Sequence, residues 1–591
     1  MPKPLPEQRG PSLQDGIRAL NIHESLVGIL APVFAIRTED DLGVGDSDAA
    51  CQMIDWCHRH GLNVFQTLPL NETSDDNSPY NAISSLALDP TTIAVSPNLL
   101  PDLPVNCFQE LATPDRLTEL RAGPVNYPKV KELKLALLQA AFEEFCERHL
   151  RKQTARAQEF RAFVEANASW LSDYSLFRTL MEENSNSPAW TSWPPDHRSP
   201  QAARAWLESL PGFRREEFSA RQTFFQYVQW IAFSQWQTVK AQAEAKSVYL
   251  MGDMPFGISR HSADTWANPD IFDLNWSGGA PPEKTFQWDV FTRKWGQNWG
   301  IPLYRWDELR RRNFDWWRTR IANLGKVFHF YRIDHVLGFF RIYSFPWTPE
   351  RNAEFIDLTE EQAAARTGGH LPGFKKFPDD TPEHKAANQA QGEELLRTVL
   401  EASGKDTTVI AEDLGVVPDY VPPTLQKLGI PGFCIPMFLR DREQHYSDPK
   451  AYPRLSIAQP ATHDHAPLAA SWADHWANID AGKDAEHHRL ELQRFMRFAG
   501  LSADEIPRQF EDRIHEAFTR AVMHANSWLV VFQITDVFAQ TMQFNVPGSA
   551  ATSNWSNRLD LTVTQLDGDP RLLAKVSAFS RLARESGRTR A

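Results

Sequence analysis

The sequence predicts an α/β protein, a closed (β/α)8 TIM barrel carrying a large helical insertion between its second and third strands. Three observations predict it. Short apolar runs recur at 27–33, 64–68, 248–251, 328–333, 408–411, 432–438, 455–461 and 527–534, the number of strands a closed parallel barrel needs. Helical patterns lie between them. Four runs lead directly into an acidic residue: Asp253, Asp334, Glu412 and Asp464.

The elements follow in chain order. Residues 1–26 form a polar, proline-rich N-terminal extension without the apolar core of a signal peptide. Residues 27–98 start the barrel: Asp46 is placed to cap a helix running through His60, and Gly61 suits the position just past its end. The next strand then begins near Leu62. Residues 99–246 read as an inserted helical subdomain, rich in Leu, Ala, Glu, Lys and Arg. Helical periodicity covers 130–151 and 154–171, and Phe224, Val228 and Ile231 share a helical face. Residues 247–348 return to the barrel core. Residues 349–405 mix charge with Gly and Pro and read as a long loop plus a helix over 391–403 on the catalytic face. Residues 406–591 complete the barrel and end in a helix.

Composition narrows the function. The 591 residues are too many for one minimal core. A net charge of −13 argues against a nucleic-acid partner. Arg310-Arg311-Arg312 reads as a solvated helix face. No apolar stretch reaches the ~18 residues that would span a bilayer. The five cysteines are scattered, with no Cys-x-x-Cys pair, so reduced thiols and a cytoplasmic location are expected. No nucleotide loop or metal motif implies a cofactor. The 20 Trp and 36 Phe suit core packing and sugar-binding platforms equally.

In the barrel fold, chemistry sits at the C-terminal edge of the strands. Carboxylates emerging there from distant parts of the chain would share one pocket, an arrangement suited to glycosidic bonds, which need two carboxyls in different protonation states. Strand alternation puts Arg332 and Asp334 on one side and Ile333 on the other. Arg332 then favours an ionised Asp334, as a nucleophile requires, or forms a structural ion pair with it. Glu412 follows Val409-Ile410-Ala411, where desolvation raises its pKa toward that of a general acid; a salt-bridged strand end is the other reading. Asp413 points away in a structural role. His463 and His465 could suggest metal binding, but no third ligand is identifiable.

Asp253-Met-Pro, Ser262-Ala-Asp-Thr-Trp-Ala-Asn268, Gly296-Gln-Asn-Trp-Gly300, Arg332-Ile-Asp-His335, Ala411-Glu-Asp-Leu-Gly415 and Thr462-His-Asp464 together resemble the ordered motifs of the 4-α-glucanotransferases of glycoside hydrolase family 77, the amylomaltases or disproportionating enzymes. Ser78-Pro-Tyr80 resembles the family's sugar-binding loop, and Ser553-Asn-Trp555 with Asp536 upstream resembles its closing segment. The resemblance runs from about residue 28 to 559.

It implies Asp334 as nucleophile, Glu412 as acid/base and Asp464 as transition-state stabiliser. It further implies that Arg332, His335 and His463 hold the donor sugar, that Asp253 and Asn554 line the cleft, and that Tyr80 and Trp299 stack on sugars or serve the acceptor side. No metal or cofactor is implied. The expected partners are malto-oligosaccharides or a glucan polymer, with glucose or maltose as acceptor or donor. His465 stands where the family usually has Asn, and the acceptor loop Pro281-Pro-Glu-Lys-Thr-Phe286 departs from the family's Pro-Pro-Asp-Tyr-Phe. The segment Val336-Leu-Gly-Phe-Phe-Arg341 is similar to the plant cytosolic branch. A retaining α-glucan hydrolase and a non-catalytic glucan-binding protein are the competing readings.

Overall fold

The structure, a computed structural model, describes residues 23–282, 289–547 and 553–589. The N-terminal extension up to residue 22 and acceptor-loop residues 283–288 lie outside the described residues.

Eight parallel strands form the barrel: β1 (Leu26–Leu30), β2 (Val64–Gln66), β3 (Tyr249–Met254), β4 (Phe330–Ile333), β5 (Thr408–Ala411), β6 (Gly432–Cys434), β7 (Ser456–Ala458) and β8 (Leu529–Gln533). Each lies within or across one of the eight predicted runs. The hydrogen-bonded order is β6-β7-β8-β1-β2-β3-β4-β5. Such strands are covered on both faces, which is why they read as continuous apolar runs rather than alternating ones. Alternation survives in where the side chains go. Leu529, Val531, Phe330, Ile410 and Met251 belong to an inner cluster, while Val530 and Phe532 pack in the cluster formed with the outer helices.

The barrel's seam lies between β5 and β6. Ala411 N–H donates to Pro431 O (2.9 Å), and the Asp413 carboxylate accepts from Phe433 N–H (2.7 Å). Burial pushes Asp413 up to about 6. Gly432 makes this approach possible, because a Cβ there would lie 2.7 Å from Asp413 Oδ2.

Helix Ser47–Arg59 is capped by Asp46, whose carboxylate accepts from the Asp48 and Ala49 amides, and the chain leaves it through Gly61 at φ 71°. The insertion contains seven α-helices, from Val105–Leu111 to the long Gly212–Ala245. Phe224, Val228 and Ile231 of this last helix are buried. It packs along Ser47–Arg59, where Ser47 Oγ donates to Gln235 Oε1 (2.7 Å). The insertion therefore shares one apolar core with the barrel's outer layer.

The 349–405 stretch differs from its expected form. Helix Pro382–Ser403 starts well before residue 391, with Thr381 accepting from the His384 amide at its N-terminus. It packs against helix Asp315–Val327 and equally against the short helix Leu337–Phe340 that follows β4. Strand Gly373–Lys375 is the edge of an antiparallel side sheet that also contains Ile342–Phe345, Phe272–Ala280 and Gln297–Tyr304. Glycines, a proline and two register shifts break the alternation in its longest pair, which hides the sheet from sequence.

Each arginine of the 310–312 run has acidic neighbours: Asp307 and Glu394 for Arg310, Glu308 for Arg311, Asp270 and Asp315 for Arg312. Among the described residues no helix is long and apolar enough to cross a membrane. Replacing Gly432 with Ala should displace the Asp413 carboxylate and leave the Phe433 amide unpaired, lowering stability by about 1–3 kcal/mol. Urea unfolding with an unchanged midpoint would contradict this account of the seam.

Candidate active site

Strand alternation builds the site from below. Inward-facing Met251, Phe330 and Ile410 are each followed two residues later by Asp253, Arg332 and Glu412. Asp253 and Arg332 are register partners across β3 and β4. The guanidinium of Arg332, 4% exposed, donates through Nη1 to Asp253 Oδ2 (2.5 Å) and through Nη2 to Asp334 Oδ1 (2.7 Å). The same Nη2 lies 3.8 Å from Glu412 Oε2. Those two Nη2 distances, 2.7 plus 3.8 Å, cap the separation of the nearest Asp334 and Glu412 oxygens. Both carboxyls therefore face one guanidinium from close range.

Glu412 is held by main chain. Oε1 accepts from Leu414 N–H (2.8 Å) and Oε2 from His335 N–H (2.7 Å). His335 adopts φ 49°, a left-handed conformation uncommon for a residue with a side chain, and this turn aims its amide at the carboxyl. Burial is the largest influence on Glu412 and pushes it up to about 7; Arg332 opposes the shift and the Asp334 charge adds to it. His335 is pushed down to about 4 by burial, so its imidazole is neutral.

Asp464 lies in the turn after β7. Asn545 Nδ2 donates to its Oδ1 (2.7 Å), and His463 Nε2 lies 3.2 Å from its Oδ2. Burial alone would raise its pKa, but His463, Asn545 and Arg332 together hold it below the usual carboxylate range. Tyr80 joins the two halves of the site. Its ring stacks on His463 (centroids 5.2 Å apart, 11° between planes) and its hydroxyl donates to Asp253 Oδ2 (2.7 Å).

These groups form the floor of a cleft of about 1080 Å³ to which Tyr80, Trp299, Arg332, Asp334, His335, Glu412, Asp464 and Trp555 all contribute. One wall is the side sheet, through Trp299, Tyr343 and Phe374. Trp299, 39% exposed, meets the His335 ring edge-on at 4.8 Å.

Several expected residues sit elsewhere. Asp253 and His463 are fully buried, one layer beneath the cleft surface, because one supports Arg332 and the other supports Asp464. Asn554 lies outside the cleft lining. Its side chain bonds both the amide (3.0 Å) and the carbonyl (3.3 Å) of Val546. The amide on Asp464 is instead Asn545, which the sequence reading missed. It lies in an irregular Asn-Val-Pro loop after β8, where no periodicity signals it. His465 turns away from His463: its Nδ1 is 2.7 Å from Thr462 Oγ1 and its ring meets Phe438 edge-on. Among the described residues no group of three or more His, Cys, Asp or Glu is arranged to hold a metal ion.

The profile of glycoside hydrolase family 77, 4-alpha-glucanotransferase, matches residues 31–563. A 4-alpha-glucanotransferase of Chlamydia pneumoniae is 30% identical over 547 residues, covering 91% of this chain and 92% of that protein. One from rice is 33% identical over 329 residues, covering 54% of this chain and 32% of that protein. In fold, the chain is similar to an amylomaltase from Streptococcus agalactiae solved with acarbose, with TM-score 0.71 and 22% identity over 96% of this chain and all of that one.

The perturbed carboxyl can be tested directly. Carbon-13 NMR of glutamate-labelled protein should show one carboxyl titrating near 7 that disappears in Glu412→Gln. Loss of a carboxyl titrating at the ordinary value of about 4.3 would contradict the burial assigned to it.

Proposed function

The chain belongs to the 4-alpha-glucanotransferase family, glycoside hydrolase family 77, and from that membership we propose that it moves α-1,4-glucan or glucosyl units by a retaining double displacement at the Asp334–Glu412 pair. Glucan transfer is the activity of the family. One observation carries it above the others. A single guanidinium contacts an acidic group on one side and approaches, on the other, a carboxyl whose pKa is raised to about 7.

In the first step Asp334 Oδ attacks the anomeric carbon of the donor. Glu412 gives its proton to the departing glycosidic oxygen, whose sugar leaves as a free 4-hydroxyl. A covalent glucosyl ester and a Glu412 carboxylate result. In the second step Glu412 removes the proton from an acceptor 4-hydroxyl, which attacks the same carbon and frees Asp334. Two inversions restore the α linkage. Asp464 lines the same cleft as an ionised carboxylate, suited to the positive charge that develops on the sugar ring. Arg332 orients Asp334, neutral His335 can hydrogen-bond a donor hydroxyl, and Tyr80, Trp299 and Trp555 offer rings to sugar faces. Asp253, His463 and Asn545 act as positioning residues beneath them.

A hydrolase with the same carboxylates would let water take the acceptor's place. The aromatic wall with Trp299 favours a bound sugar there instead. Malto-oligosaccharides or a glucan polymer are the proposed donors and acceptors, with maltose and glucose as the smallest. A cytoplasmic setting belongs to the same proposal, in keeping with five free cysteines.

Incubation with maltotriose should give a ladder of longer and shorter glucans; glucose and maltose alone would mean hydrolysis. Asp334→Asn should lower transfer at least about a thousandfold, and substantial remaining activity would remove it as nucleophile. A raised carboxyl pKa leaves the acid form populated below that value. The first step should therefore weaken as pH rises through about 7, seen as the alkaline limb of kcat/KM. A limb unmoved in Glu412→Gln would assign it to another group.

A further inference from the structure

The side sheet has a cavity on each face. Along Gly373–Lys375, Phe374 borders the catalytic cleft while Lys375 borders a separate cavity of about 440 Å³; along Ile342–Phe345, Tyr343 and Ile342 divide the same way. This second cavity lies within the range of ligand pockets, roughly 300–1,000 Å³. Phe256 lines both cavities and meets the His335 ring at a centroid distance of 6.4 Å.

Its lining has the chemistry of a site for a neutral polyhydroxyl chain. Trp276 and Trp306 both line it and are partly exposed, which leaves aromatic surface open to the cavity. Trp306 rests near-parallel to buried Trp317 (6.2 Å, 25°) and Phe339 (6.1 Å, 28°), which fix its plane. Trp276 is backed by Lys375 Nζ, 4.2 Å from its ring centroid. Three carboxylates (Asp273, Asp307, Glu308) are matched by three cations (Arg305, Lys375, Lys376), so the cavity selects for neither a phosphate nor an amine. Buried Gln391 adds an amide at the wall, with its nitrogen donating to Phe339 O (3.2 Å) and Phe340 O (3.4 Å). Flat rings for C–H faces beside balanced polar groups for hydroxyls are what a glucose polymer requires.

We propose that this cavity is a second α-glucan-binding site, holding a segment of a polymeric substrate on the back of the side sheet while another segment enters the catalytic cleft. The proposal rests on the glucan-transfer reading above. It gives the chain a means of staying on a polymer between turnovers, which a short oligosaccharide would not use.

Trp276→Ala and Trp306→Ala should weaken retention in native gels containing glycogen, and raise the KM for glycogen as acceptor, by roughly three- to tenfold. Maltotriose disproportionation should be unchanged. Because Trp306 packs on Trp317 and Phe339, the paired rim change Asp273→Ala with Lys375→Ala provides a second test that leaves that stack intact, and it should also weaken glycogen retention. Unchanged retention in all three variants, with maltotriose transfer intact, would overturn the second site alone. Failure of the unmodified protein to transfer from maltotriose would overturn the function reading and this site with it.

Discussion

The buried guanidinium of Arg332 is the constraint on which the site depends. A charge this far from water is costly unless paired, and removing one partner of a buried pair typically costs about 3–5 kcal/mol. Here one cation faces Asp253, Asp334 and Glu412, with Asp464 close enough to be influenced by it. One positive charge cannot offset four negative ones in a desolvated pocket. The arrangement is least costly when one carboxyl keeps its proton. Burial outweighs the opposing influences at both Asp253 and Glu412, and of these two only Glu412 lines the cleft. A carboxyl in the cleft that holds its proton more tightly than usual thus follows from burial and charge balance, before any substrate arrives.

The rest of the fold keeps that cluster in place. Register pairing of β3 with β4 sets Asp253 beside Arg332, and the Tyr80 hydroxyl fixes the Asp253 oxygen that receives the guanidinium. The left-handed turn at His335 is a local strain with a visible return, since it delivers an amide to Glu412. Asp413, next in sequence, faces the other way and joins β5 to β6 at the seam. Adjacent carboxyls on one strand end therefore divide between the cleft and the seam, as strand alternation requires.

Much of this was legible in the sequence, for identifiable reasons. Buried parallel strands leave uninterrupted apolar runs, so all eight barrel strands could be located. The inward positions of Arg332 and Glu412 followed from a period of two. What stayed hidden depended on contacts between segments without periodicity. Asn545 reaches Asp464 from an irregular loop, and the side sheet is built of strands broken by glycine, proline and bulges. The early start of helix Pro382–Ser403 was readable from Thr381-Pro382, a cap followed by a first-turn proline. Asp253 and His463 carry motif residues whose burial no motif reveals: both act through a neighbour, and only the packing of Arg332 and Asp464 over them shows it.

The barrel and the side sheet divide the work. The barrel presents its charged cluster at the floor, where strand geometry fixes side chains closely. The sheet supplies an aromatic wall made of Trp299, Tyr343 and Phe374. If the cluster breaks the bond as proposed, its groups can be common to hydrolysis and transfer, because it contains nothing that distinguishes a water from a sugar hydroxyl. Discrimination must come from how long and how well an acceptor sugar is held against the covalent intermediate. On the proposed mechanism, the preference for transfer and for one length of glucan over another falls to the sheet rather than to the carboxylates. Two chains with identical floors could therefore differ widely in product, through the residues of these strands alone.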